Sequence, residues 1–166
     1  FGAPVTVRWY RQNTPRTAQA VRSVAASLFG GDPTTHESRK DEHMATTTIG
    51  TALEKLRTID GYIGACLVDS ESGMALGLDG GGPELDIELA AASNTEVVRA
   101  KRKAIQMLKL NDEIEDILIT LGRQYHLIRP LKGRPAVFLY IALNRAQANL
   151  AMARMVLKDA DKLIEM

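Results

Sequence analysis

The sequence predicts an α+β domain: one five-stranded antiparallel sheet with helices on its faces, in the order α-β-β-α-β-β-β-α. Three observations predict it. Apolar residues recur at helical spacing in three stretches after Met44, and five shorter runs alternate or are apolar throughout. The runs adjoin through short glycine-bearing turns, as antiparallel neighbours do. A length of 166 residues suits one domain with a sizeable core rather than two.

The elements are taken from Met44 because the preceding residues differ in composition. Up to His43 the chain carries six Lys+Arg and four Asp+Glu; the remainder carries 15 and 16. "GGDPTTHESRKDEH" is polar, holds glycine and proline, and reads as a linker. Residues 1–43 are therefore expected to be an N-terminal extension, a linker or a foreign leader, and 44–166 the domain. Met44 fits a natural start, and Phe1 marks a chain that is processed, truncated or assembled. Within the leader, Val5, Val7 and Trp9 alternate as in a short strand. Thr14 as N-cap, Pro15 at the first helical position and Gly30 as a stop frame a short helix. Arg16 and Arg22 give that helix a targeting-peptide flavour, but its short apolar stripe suits a docking arm or foreign leader better.

In "TTTIGTALEKLRTI", Ile49, Leu53, Leu56 and Ile59 form a helical stripe behind threonine caps, ended by Asp60-Gly61. "YIGACLVD" and "GMALGLD" read as a hairpin around Ser70-Glu71-Ser72-Gly73, which puts Asp69 and Glu71 at a tip rather than in a cleft. The spacing then predicts a long helix from about Glu84 to Leu110. It has two stripes: Leu85, Leu89, Val97, Ala100, Ala104 and Leu108; and Ile87, Ala91, Asn94, Val98 and Ile105. A helix lying on a sheet needs one stripe. The second, with polar Asn94 inside it, is read as a coiled-coil-like contact with a partner chain, against the alternative of packing wholly within the protomer. Three more strands follow: Ile114–Thr120, Gln124–Leu131 and Ala136–Leu143. The last is apolar on both faces, as a central strand is. A final helix from about Asn144 to Met166 carries Leu150, Ala153, Leu157, Ala160 and Ile164 and closes one face of the sheet.

The chemistry-bearing residues do not assemble into a catalytic set. A net charge of +1 argues against nucleic acid as partner. One cysteine excludes an intramolecular disulfide and points to a reducing compartment, the cytoplasm; with three histidines it disfavours structural zinc. No apolar run is long enough to span a membrane. Cys66 lies mid-strand with no neighbour to lower its pKa, so it reads as a core residue. "LDGGGPE" lacks the Lys-Ser/Thr of a phosphate-binding loop, and Glu84, Asp86 and Glu88 would repel an anion there. His126 reads as a packed or exposed strand side chain rather than a ligand. No catalytic, cofactor-binding or metal-binding residue is assigned. The cluster Arg99, Lys101, Arg102 and Lys103 reads as a solvated face, with an acidic partner as its alternative.

"GYIGACLVDSESGMALGL", the long helix after it, "LIRPL" at Leu127–Leu131 and "ANLAMARMVL" at Ala148–Leu157 together resemble the roadblock / dynein light chain family. Its bacterial members include the gliding-polarity-regulator type. The likeness covers Thr46 to Glu165 and implies a roadblock/profilin-like fold. It implies a dimer rather than an enzyme, paired through the long helix and the third strand. Here those would be the stripe Ile87, Ala91, Asn94, Val98 and Ile105, and the edge residues Ile117 and Ile119. It further implies a platform for a small Ras-like GTPase or an adaptor. Arg99, Arg102 and Lys103 are the expected partner-binding residues, beside the seam. A small-ligand sensor or assembly domain of similar α+β shape is the alternative.

Overall fold

The structure, a computed structural model, describes residues 48–165. The strand, helix and linker expected over residues 1–43 lie outside the described residues. Helix α1 covers 48–56. Strands β1 (Tyr62–Asp69) and β2 (Ala75–Gly80) follow, then helix α2 (Ile87–Met107). Strands β3 (Ile117–Thr120), β4 (Gln124–Pro130) and β5 (Val137–Asn144) lead to helix α3 (Leu150–Glu165). Every strand pairing is antiparallel, and the sheet order is β2-β1-β5-β4-β3. The element order and sheet are those the sequence predicts.

β5 occupies the centre, and each of its residues but Asn144 is buried. Both faces are covered, which is why "VFLYIAL" carries no polar alternation. On one face, Leu53, Leu56 and Ile59, together with Ala153, Leu157, Ala160 and Ile164 of α3, pack on Ala65, Leu67, Leu127, Leu139 and Ile141. On the other, Ile87, Ala91 and Val98 of α2 pack on Cys66, Val68, Ile128, Phe138 and Tyr140. The period-two alternation of β1 thus divides Ala65 and Leu67 from Cys66 and Val68. Each fully buried Leu or Phe contributes about 1.5–3 kcal/mol of burial free energy.

This packing corrects one expectation. Ile87, Ala91, Asn94 and Val98, assigned above to a partner helix, lie against the chain's own sheet and are 0–8% exposed. The outward stripe is the other one. Element ends differ too. Asp86 caps α2, its Oδ1 accepting from the Glu88 and Leu89 amides at 3.1 and 3.0 Å, so the helix starts at Ile87 rather than Glu84. Asn149 caps α3 in the same way, accepting from the Ala151 and Met152 amides, so residues 145–149 form a turn instead of its first turns. β3 is shorter than the expected Ile114–Thr120. Asp116, at its head, is held out to α3 by two bonds from Arg154 at 2.8 and 3.1 Å.

The β1–β2 turn is held by Asp69, whose carboxylate accepts from the Glu71 amide and the Ser72 hydroxyl. Gly73 takes φ +76°, the left-handed geometry the turn requires. At the far end of β2, Gly80 (φ +69°) lies so close to β1 that a Cβ would stand 2.6 Å from the Ile63 carbonyl oxygen. Beside it, buried Asp79 accepts from the Arg57 Nε at 2.6 Å and from the Tyr62 hydroxyl, which locks the end of α1 onto the hairpin. Arg129 and Asp161, both buried, join β4 to α3 at 3.3 Å.

Candidate interaction surface

β3 is the sheet's outer strand on one side. Among the described residues it pairs only with β4, which leaves its other edge without a strand partner there. α2 lies over β1 and β2 on this face. Between α2 and the β3 edge the sheet is incompletely covered. Ala90, Val97, Ile117 and Ile119 flank the core there while remaining half-exposed. Val97, Lys101 and Ile105 form one wall of a cleft of about 530 Å³, with Leu110, Ile114 and Ile117 on the other side. Val97, Lys101 and Ala104 recur at i, i+4 and i+7, which aligns them along the β3-facing flank of α2. On its outer side, Leu89, Met107 and Leu108 are 65%, 67% and 66% exposed. Large apolar residues this exposed, beside an unpaired strand, mark an interaction surface.

Of the expected seam residues, Ile105, Ile117 and Ile119 line this uncovered region. Ile87, Ala91, Asn94 and Val98 lie beneath the helix. The expected partner-binding residues also divide. Arg99 donates to the Ser70 and Glu71 carbonyls at 2.9 and 2.6 Å and pairs with Glu96 at 2.6 Å. Arg102 donates to the Ser70 hydroxyl at 2.9 Å and to the Pro135 carbonyl. These contacts draw Arg99 to the β1–β2 turn and Arg102 to the β1–β2 turn and the β4–β5 loop, where Arg102 shares a cleft with Ile105, Leu110 and Ile114. Lys103 is exposed.

Ser70, a turn residue by sequence, has a further role in the fold. It is 2% exposed and bonds Ala136 through both its amide and its hydroxyl, which makes it the joint of the two loops. A turn serine is common, and only the fold brings Ala136 to it. Cys66 is buried, and burial pushes its thiol pKa well up, so it is a core residue as read. His126 is half-buried on the uncovered side and contacts Gln124 and Tyr140. Burial lowers its pKa. Among the described residues, no group of three His, Cys, Asp or Glu could hold a metal ion. None of the described helices is long and apolar enough to cross a membrane.

No protein-family model and no curated protein matches the sequence. Solved structures do match the fold. MglB from Myxococcus xanthus aligns with a TM-score of 0.63 at 17% identity, over 72% of this chain and 86% of that one. A Roadblock/LC7 domain from Streptomyces avermitilis aligns with a TM-score of 0.57 at 12% identity, over 70% and 90%. The chain has the roadblock fold. The gliding protein MglB from Thermus thermophilus aligns with a TM-score of 0.57 at 14% identity, over 74% and 87%. In each case most of the other chain is spanned, so the roadblock fold is matched as a whole.

Proposed function

We propose that residues 44–166 act as a non-enzymatic regulator of the roadblock kind, similar to MglB, that works as a homodimer in the cytoplasm. The dimer forms through the β3-facing flank of α2 and the β3 edge, and joins two five-stranded sheets. The observation that carries this reading is the uncovered β3 edge beside an apolar helix flank, because such an edge is a liability unless another chain pairs with it. The helix surface of the dimer binds a small Ras-like GTPase or an adaptor and biases its state by preferring one form. Arg99 and Arg102 serve that surface by holding the loops beside it, and exposed Lys101 and Lys103 supply its charge.

Light scattering at micromolar concentration should give a dimer. Binding of a small Ras-like GTPase from the same source should differ between its GDP-loaded and GTP-analogue-loaded forms. A monomer, or equal binding of the two forms, would sink the respective half of the reading. Lys103→Glu should slow association and alter its salt dependence while leaving the dimer intact.

A further inference from the structure

A short chain of hydrogen bonds crosses the uncovered side of the sheet. Gln124 and His126 lie on β4, and the Gln124 Oε1 stands 2.9 Å from the His126 Nε2. The His126 Nδ1 stands 3.0 Å from the hydroxyl oxygen of Tyr140 on β5. The two rings meet edge-on, 5.5 Å apart at 76°. From above, Asn94 of α2 donates to the Ala90 carbonyl at 2.8 Å, and its amide bears on the Tyr140 hydroxyl, favouring the ionised phenol against burial. Tyr140 is fully buried, whereas His126 is half-buried, with Ile119 of the edge strand opposite it.

The chemistry of these groups fixes the protons. Burial pushes the Tyr140 phenol pKa up, so it keeps its proton and needs an acceptor. The His126 Nδ1 is that acceptor, and Nε2–H donates to the Gln124 carbonyl oxygen. Both ring nitrogens are used, and the neutral imidazole also satisfies the Tyr140 O–H. An imidazolium would donate from Nδ1 to the phenol oxygen, and the buried phenol O–H would lose His126 as its acceptor.

We propose that His126 makes self-association of this chain pH-sensitive: the dimer holds while the ring is neutral and opens as it takes up a proton. The proposal rests on the dimer reading above, in which a second copy covers the seam and buries the ring further. Among the described residues, the groups that β3, β4, β5 and α2 turn to the ring carry no negative charge. β5 presents Tyr140 and Ala142, β3 presents Ile117 and Ile119, and β4 presents Gln124 and Ile128. α2 presents the Asn94 amide and, farther along the flank that lines the cleft with Ile117, the Lys101 ammonium. Of the acids near the seam, Asp116 is engaged by Arg154, and Asp112, Glu113 and Glu115 line the cleft around Lys101. A two-fold partner brings a second set of the same groups.

The sign follows from the direction of the shift. A histidine whose pKa is lowered by burial binds fewer protons than the same residue when freed. The freed state is the separated protomer, in which burial already holds the ring below the ordinary histidine value, so affinity is flat above that lowered pKa and falls as pH drops below it. Two histidines per dimer allow a slope of up to about a hundredfold per pH unit.

The test is sedimentation velocity on dilution series of the purified full chain, wild type and His126→Gln, at about pH 7.5 and pH 5.5. The wild-type dissociation constant should rise severalfold on acidification, and that of the variant should change far less. If the variant does not fold, the His126 ring-proton titration in the wild type, read above and below the dissociation constant, replaces it. The pKa should then be lower in the dimer. A dimer equally tight at both pH values, an equal loosening of wild type and variant, or an equal pKa at both concentrations would overturn the proposal and leave the dimer standing. A monomer at pH 7.5 would overturn the dimer reading and this proposal with it.

Discussion

On one face of the sheet two helices, α1 and α3, cover the strands; on the other, α2 lies over β1 and β2 and leaves the β3 side bare. Both faces are built from the same kinds of strand residues. The first is closed by long-range apolar contacts and by the Arg129–Asp161 pair. The second ends in half-exposed Val97, Ile117 and Ile119 and in a polar chain through His126. The closed face holds the larger core, and among the described residues nothing covers the flank beside β3.

Two neighbouring residues test that division most sharply. Val98→Asp puts a charge beneath α2 at a fully buried position and should cost several kcal/mol, enough to unfold the protomer. Val97→Asp, one residue away on the flank, should shift the urea midpoint little yet abolish the dimer. If Val98→Asp instead gives a stable, folded monomer, the two faces of α2 have been assigned the wrong way round. On the closed face, Leu157→Ala should cost about 2–5 kcal/mol in urea denaturation, without a separate effect on self-association. The smallest effects belong to the basic residues of α2. Arg102→Ala should lose about 1 kcal/mol because it frees the Ser70 hydroxyl and the Pro135 carbonyl. Lys103→Glu should change stability by less than about 0.5 kcal/mol. Equal costs for the two would mean that the loop contacts of Arg102 contribute nothing.

The strands were the most legible part of the sequence. β1 runs over the predicted Tyr62–Asp69, and the all-apolar run around Phe138 is the central strand, because burial on both faces writes itself directly into composition. α2 was legible as a two-striped helix but not in its orientation. Periodicity shows that Leu89 and Val98 lie on different sides, and it does not say which side meets the sheet. Asn94 was misleading for a physical reason. A polar residue in an apolar stripe suits a helix–helix seam, but here its amide donates within the protomer to the Ala90 carbonyl and bears on Tyr140. Arg99 and Arg102 looked like free surface charge because the carbonyls they bind belong to loops brought near only by the fold. The link between His126 and Tyr140 depends on β4–β5 register, in which His126 stands opposite Ala142, and local sequence carries no trace of it.

The closed face unites the first and the last helix of the described chain. Leu53, Leu56 and Ile59 share one core with Leu157, Ala160 and Ile164. During synthesis, that core has no lid until the final turns of α3 have left the ribosome. Until then, the part of that sheet face that α3 covers stays open to solvent and to other nascent chains, with the cost in folding speed that distant contacts bring. The residues around Ile164 therefore determine when the domain finishes folding as well as how firmly it holds. Trimming the chain just before them would leave every strand present and the fold without its closing step.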